Sequence, residues 1–435
     1  MAALIPRSFP LLFATFLASL FCVFNITSFF LSSSVRTSGV VLSRARLVLK
    51  SSASAAASAS AASLPSPSSP PPPPSPPLPF LSPPPPPVKD DPLDFTSASA
   101  RAKRRYGENI KPRVTGRKFH TVITANNAKY VEWQTRIAYH YWKEMKAKFP
   151  DSDVGGFTRI LHGGHKDNLM DDIPTYVAKP LPGGNMGYVV LDRPYAFVQW
   201  LRDVDIEEDY IFMTEPDHIL VRPLENLAPS EDVGAAFPFF YINVKQFEST
   251  VQRFNDKGVP LEDMAPIGNS PVILHKSKLK EIAPLWSDLA VRLKQDGQAV
   301  KDFGWVLEMY AFSIASAQVG IKYELRLDFM VQPPWDTQFL RKCVGPSEQG
   351  YRENCQDEHV WILHYTYGND YTLEGEFTPG KYGAWRFDKR SYMATYPAFP
   401  LEMPPKQLAL PGPKQNVIVW TLIEKLNEAA KALNI

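Results

Sequence analysis

From residue 118 onward, short apolar runs alternate with longer stretches of helical spacing, and polar turns separate them. Residues 118–125 (KFHTVITA) show the alternation of a half-buried strand. Asn126 and Asn127 end it, and aromatic residues at helical spacing over residues 130–149 predict a helix. Strand, polar turn and helix together open an α/β unit of the nucleotide-binding kind. Residues 155–164 (GGFTRILHGG) predict a second strand between glycine turns, and Asp192 is placed to cap the next helix, with Arg193 and Pro194 in its first turn. Residues 210–214 predict a buried strand that breaks at Glu215-Pro216-Asp217-His218. A further strand is expected over 233–242, helices over 282–293 and 305–317, a late strand over 359–368 and an amphipathic helix over 417–433. No internal repeat interrupts this order.

The first hundred residues follow another pattern. Residues 8–35 contain no charged side chain, a length suited to one membrane span and longer than the apolar region of a cleaved signal peptide. Arg7 alone precedes this run, whereas Arg36, Arg44, Arg46 and Lys50 follow it, a bias that by itself favours a luminal N-terminus. An Ala/Ser-rich segment and then 15 prolines between residues 65 and 87 predict an extended polyproline II stalk. The expected organisation is a tail and signal anchor at 1–35, a stem at 36–117, a catalytic α/β domain at 118–400, and a linker with the amphipathic helix at 401–435.

Charge narrows the function. The 435 residues carry 47 basic and 45 acidic side chains, and 41 and 42 of these lie beyond residue 100. So balanced a body lacks the basic surface that nucleic acid requires, and no nucleic-acid partner is expected. With 44% hydrophobic residues the body can build a large core. No G-x-S-x-G, G-x-x-x-x-G-K-[ST] or G-x-G-x-x-G is present, which removes support for serine hydrolases, P-loop enzymes and dinucleotide oxidoreductases.

Chemistry concentrates at the break after the mid-chain strand. Ligands of open α/β sheets gather beyond the carboxyl ends of strands, where Glu215 and Asp217 stand one proline apart. Oxygen ligands in that position suit a hard divalent cation, which would neutralise a departing diphosphate. His364, in the late strand, is placed to complete such a shell from across the sheet. His162, His165 and His218 lack the paired spacing of a zinc site. Cys343 and Cys355 flank a polar loop and suit either a disulfide in an oxidising lumen or two free thiols.

Several stretches together resemble the plant and algal hydroxyproline O-arabinosyltransferases: GGFTRILHGGHKDNLMDDIPTY, GYVVLDRPYAFVQWL, EEDYIFMTEPDHILVRPLENLA, AFPFFYI, PIGNSPVIL, WVLEMYAFSIA, HYTYGNDY and GAWRFDKRSY. They cover most of residues 118–395 in order. The resemblance implies a glycosyltransferase fold of the GT-A kind, a mixed central sheet flanked by helices, in a type II Golgi membrane protein with a luminal catalytic domain. It implies transfer of L-arabinofuranose from UDP-β-L-arabinofuranose to hydroxyproline in secreted peptides or extensin-like proteins, with retention and with a divalent metal, Mn²⁺ by preference. Peptidyl-serine α-galactosyltransferases share parts of these motifs, so UDP-galactose transfer stands as the alternative. A non-catalytic sugar- or polyproline-binding protein is the alternative of another class. The SPPPP blocks of the stem resemble the extensin context and are themselves acceptor candidates.

On this reading Asp217 coordinates the metal directly, Glu215 holds the metal or the ribose, and His364 is the ligand from the second strand. The family's acidic motif falls on these first two positions. Thr124, Asn126 and Arg159 are the residues expected at UDP, and Lys381 and Arg386 are expected to clamp the diphosphate. Of the acids Asp302 and Glu308 around Trp305, Glu308 is the one chosen to steer the acceptor hydroxyl or to sit under the sugar. Phe239, Phe240, Tyr241 and Trp335 are aromatic residues of the kind that line grooves for polyproline II ligands.

Overall fold

The computed structural model describes residues 113–337, 360–410 and 412–435. The apolar run, the Pro-rich stem, Cys343 and Cys355 lie outside the described residues. Among the described residues no helix is long and apolar enough to cross a membrane.

A mixed seven-stranded sheet forms the centre, in the order β3-β2-β1-β4-β7-β6-β8. β1 (Phe119–Ala125) pairs in parallel with β2 (Val154–Leu161) and β4 (Tyr210–Thr214), and β2 pairs in parallel with β3 (Thr175–Val177). β7 (Val272–His275) runs antiparallel to both β4 and β6 (Val233–Ala236), and β8 (Lys322–Leu325) lies parallel to β6. A second sheet holds β5 (His218–Leu220), β10 (Ile362–His364) and β9 (Met330–Val331), in that order. β11 (Asn369–Tyr371) and β12 (Trp385–Phe387) form a separate antiparallel pair.

Alternation along β1 explains why both faces are covered. Val122 enters the main core with Trp200 and Trp286, while Ile123 turns to a smaller cluster with Phe157. Trp200 belongs to α2 (Asp192–Asp203) and Trp286 to α3 (Lys276–Gln295), so these helices cover one face. Tyr139 and Trp142 of α1 (Lys129–Lys148) pack against the cluster of Ile123 and Phe157 on the other. α1 also contributes Trp133 and Ile137 to a second core, shared with the small sheet and with α5 (Val417–Leu433). The C-terminal helix is thus packed into the domain, with Tyr141 Oη donating to the Lys425 carbonyl.

α4 (Leu307–Val319) is buried on nearly every side. It ends at Gly320, whose φ of 85° is a left-handed conformation that glycine adopts without strain. Three expectations are corrected in extent. Only Val233–Ala236 of the stretch 233–242 is strand, because the chain turns at Pro238, which has no N–H for a ladder. Of residues 359–368, only Ile362–His364 is paired. Asp192 does not cap α2: its carboxylate accepts from Leu181 N–H and Asn185 Nδ2 instead, holding the preceding loop.

Candidate active site

The site begins where the chain changes sheets. β4 ends at Thr214 in the main sheet and β5 begins at His218 in the small one, so Glu215-Pro216-Asp217 is the crossing. The corner is fixed by two backbone bonds, His218 N–H to the Glu215 carbonyl at 3.1 Å and Tyr365 N–H to the Asp217 carbonyl at 3.2 Å. Both acidic side chains therefore stand at the carboxyl end of a central strand, facing different neighbours.

Glu215 faces Arg193, from the first turn of α2. Nη2 of Arg193 is 3.0 Å from Glu215 Oε2, and Nη1 is 3.6 Å from Glu308 Oε2 and 3.4 Å from Asn269 Oδ1. Glu308 is set by its own helix start. Tyr188 Oη donates to the Trp305 carbonyl at 2.5 Å and accepts from Glu308 N–H at 3.3 Å. One guanidinium thus serves two carboxylates, Glu308 buried and Glu215 partly so. Burial pushes the Glu308 carboxyl up to about 7, Arg193 opposing and Glu215 adding to the shift. Burial raises Glu215 as well, again against the pull of Arg193. Oε1 of Glu308 has no hydrogen-bond partner among the described residues.

Asp217 faces cations. Lys389, in a helical turn after β12, places Nζ directly on Asp217 Oδ2, and His364 Nε2 is 3.3 Å from the same oxygen. Burial would raise Asp217, but Lys389 and His364 outweigh it and hold the carboxyl well below the usual range. His364 is oriented by Gln332 Oε1, 3.1 Å from Nδ1. His218 lies opposite His364 in the β5–β10 register, and the two rings meet edge to face with centroids 4.7 Å apart. Burial keeps His218 neutral, its Nδ1 2.9 Å from Thr214 Oγ1. Asp217, His218 and His364 each offer a ligand atom, all within 4.8 Å of one another.

The structure brings together four of the residues chosen from sequence: Asp217 and His364 directly, and Glu215 with Glu308 through Arg193. The group of possible ligand atoms that the structure places together is Asp217, His218 and His364, whereas Glu215, expected beside Asp217, contacts Arg193. Arg193, His218 and Lys389 were not singled out for this site. Adjacency to Asp217 was a usable signal for His218, and Lys389 lies in the basic stretch that contains Lys381 and Arg386. Nothing in sequence marked Arg193 beyond its place in a first turn.

The residues expected at UDP have other neighbours. Thr124 is buried at the end of β1 with its hydroxyl unpartnered among the described residues. Asn126 accepts from Ala128 N–H at 2.9 Å in the turn before α1. Arg159 is bound on both sides by Asp167, at 2.6 and 2.8 Å, and by Thr175, so it ties β2 to its following loop. Lys381 is exposed. Arg386 sits 3.1 Å from Asp370 and 3.0 Å from Asp388 and lies over the Tyr382 ring, so a diphosphate would compete with two carboxylates for it. Asp302 accepts from Thr250 and Gln298, a structural role. Phe239 is core, whereas Phe240 (85% exposed), Trp335 (62%) and Tyr241 (40%) present aromatic surface. His162 is buried near Arg193, and burial with that charge pushes its imidazole down to about 3.

Two family models match the chain: the hydroxyproline O-arabinosyltransferase family N-terminal domain over residues 119–325, and the C-terminal domain of the same family over residues 361–435. Hydroxyproline O-arabinosyltransferase PLENTY of Lotus japonicus is 50% identical over 318 residues, 72% of this chain and 80% of the relative. Hydroxyproline O-arabinosyltransferase 1 of Arabidopsis thaliana is 49% identical over 316 residues, 72% and 79%. Among solved structures, galactosyltransferase LgtC in complex with donor and acceptor sugar analogs is similar at 13% identity with a TM-score of 0.35, over 57% of this chain and 87% of that one. That score is too low to support any inference.

Proposed function

The chain belongs to the hydroxyproline O-arabinosyltransferase family and is a glycosyltransferase, and from that premise we propose that it transfers L-arabinofuranose from UDP-β-L-arabinofuranose to hydroxyproline hydroxyls of secreted peptides or extensin-like proteins, retaining the anomeric configuration. The observation that carries this reading is the crossing between the two sheets, where an ionised carboxylate and two imidazoles converge at the carboxyl end of β4. Such an end is where α/β sheets bind their ligands.

The residues fit a divalent cation. Bonds of about 2.0–2.2 Å from one ion span donors up to about 4.4 Å apart, so a group already within 4.8 Å needs only a small side-chain shift to close on an ion. One carboxylate with two imidazoles suits Mn²⁺ better than Ca²⁺. Gln332 orients His364, and Thr214 orients His218, as outer partners of metal ligands do. A cation held there supplies positive charge against the charge that develops on a departing diphosphate.

The chain's own residues do the rest. Arg193 fixes Glu215 and Glu308 relative to one another. Glu308, with Oε1 free and a carboxyl near neutrality, accepts the hydrogen of the incoming hydroxyl and orients it toward the sugar. Phe240, Tyr241 and Trp335 offer ring faces to a proline-rich acceptor in polyproline II form. The departing diphosphate assists deprotonation of the hydroxyl on the same face of the sugar, so the protein's contribution is positioning and charge stabilisation. The uncharged run at residues 8–35 supports a membrane anchor, and the family supports a Golgi location with the catalytic domain in the lumen, an orientation that runs against the flanking-charge bias.

The test is transfer by the purified full-length chain with Mn²⁺ and a hydroxyproline-rich peptide, offering UDP-arabinofuranose and UDP-galactose separately. A pentose-sized mass gain that a chelator abolishes and Mn²⁺ restores is expected. A hexose gain moves the protein to galactosyl transfer, and no gain with either donor defeats the reading.

A further inference from the structure

Lys389 has a relation to the cation site that the proposed chemistry does not use. We propose that Lys389 is an internal counter-ion that caps Asp217 while the donor is absent and passes to the diphosphate when divalent cation and nucleotide enter, so that the two bind cooperatively. This deepens the proposed function and rests on its cation site.

Three observations carry it. First, Lys389 Nζ and His364 Nε2 approach the same oxygen, Oδ2 of Asp217, which is one of the three donor groups that converge there. An ammonium and a divalent cation cannot both stay on that carboxylate without strong repulsion, so filling the site displaces Lys389. Second, Lys389 is 6% exposed, and a buried ammonium needs an anion. Asp217 is the only carboxylate in contact with it among the described residues. Third, the described residues offer no replacement. Tyr130 and Tyr365 beside it are phenols, not carboxylates. Glu215 is held by Arg193, and Asp388 is bound by Arg386 and Arg390. The anion that receives Lys389 therefore arrives with the ligand, and a nucleoside diphosphate carries one.

The arrangement differs from that of Arg193, which lies between two protein carboxylates, Glu215 and Glu308. Lys389 is spare only when a cation takes its partner. Coupling follows: the cation frees the ammonium for the diphosphate, and the diphosphate relieves the competition for Asp217.

The test uses the full chain without any sugar. Free Mn²⁺ is followed by electron paramagnetic resonance in the absence of nucleotide, and UDP binding at saturating Mn²⁺ by calorimetry. For Lys389→Met the expected result has opposite signs: Mn²⁺ alone binds on the order of tenfold tighter than to the unaltered chain, and UDP on the order of tenfold weaker. Lys389→Gln, which can keep an N–H on Asp217 without the charge, is expected to follow Met if the Met form does not fold. Lys389→Arg keeps the original pattern. A merely structural lysine would weaken both ligands together. Mn²⁺ affinity that is unchanged or reduced in the Met or Gln form, or UDP affinity that is unchanged, overturns the inference alone. Absence of Mn²⁺ binding in every form overturns the cation site of the proposed function and this inference with it. Galactose in place of arabinose in the transfer assay leaves it standing.

Discussion

Glu215 and Asp217 are separated by one proline, yet the protein treats them in opposite ways. Glu215 shares a single guanidinium with Glu308, and burial leaves its carboxyl raised. Asp217 has an ammonium and an imidazole to itself, and its carboxyl is held well below the usual range although burial works against this. Both acids are at the same strand end and both are enclosed. What differs is the ratio of cationic to anionic groups delivered by other elements: α2 and α4 bring one cation and one further acid to Glu215, while β10 and the turn after β12 bring two nitrogen donors to Asp217. Carboxylate identity in a motif therefore does not define its protonation; the surrounding elements do.

The largest effect is expected from breaking the Asp217 side. Asp217→Asn should lower transfer by about 10²–10³-fold, the scale of losing one charge-stabilising group. Glu215→Gln, measured in the same peptide mass assay, should lose markedly less, because it keeps a hydrogen-bonding group beside Arg193. Equal losses would erase the distinction between the two acids.

Arg193→Met breaks the other side. It leaves Glu215 and Glu308 buried without a cation and should destabilise the fold by about 3–5 kcal/mol at pH 7.5. Denaturant midpoints should recover in part at pH 5.5, below the raised value of Glu308 and with the Glu215 carboxyl also shifted up by burial. No recovery on acidification would mean that the guanidinium acts by packing alone.

Glu308 sharpens the comparison through pH. Its carboxyl is raised from 4.5 to about 7, so between those values the folded state holds the proton more firmly than the unfolded one. Stability from this group is therefore full below pH 4.5, falls as pH rises toward 7, and is flat above. The loss is roughly 3 kcal/mol at most. Glu308→Gln should lack that slope between pH 5 and 8 in denaturant unfolding, and an unchanged slope would refute the assignment.

The smallest effect is expected from Phe240→Ala. A side chain 85% exposed should change stability by less than about 0.5 kcal/mol. If its ring meets the acceptor, the peptide KM should rise about three- to tenfold, as for truncation of a modest interface residue, with KM for the donor unchanged. A rise in the donor KM would move Phe240 to the nucleotide side.

Much of the frame was legible in the chain. The alternation at 118–125 returned β1, the apolar run at 210–214 returned β4 to the residue, and the amphipathic period at 417–433 returned α5. Each is strongly patterned, although β1 is buried on both faces where a half-buried strand was expected, because it lies in the middle of the sheet. The segment HVWILHYTYG was harder. Most of its residues are buried, but only three join a ladder, since burial alone gives strand-like composition without strand pairing. Of the site, Asp217 and His364 could be found because an acidic break after a buried strand and a histidine in a late apolar run are local signals. Arg159 misled for the opposite reason: a basic residue on a strand near a glycine turn looks like a phosphate ligand, and only the fold shows Asp167 already on it.

By itself the sequence determined β1, β2, β4 and the main helices, the corner at Pro216 and the acidic groups on it, because these depend on period, on proline's missing N–H and on short-range spacing, whereas the short strands β3, β5, β7, β8, β9, β11 and β12 left no such pattern. The tertiary structure alone decided which cation each acid receives. Arg193 reaches Glu215 across 22 residues and Lys389 reaches Asp217 across 172. No local pattern encodes such distances. They are set when α2 packs on one face of the main sheet and the turn after β12 closes over the strand crossing, and electrostatics at the site follow from that packing.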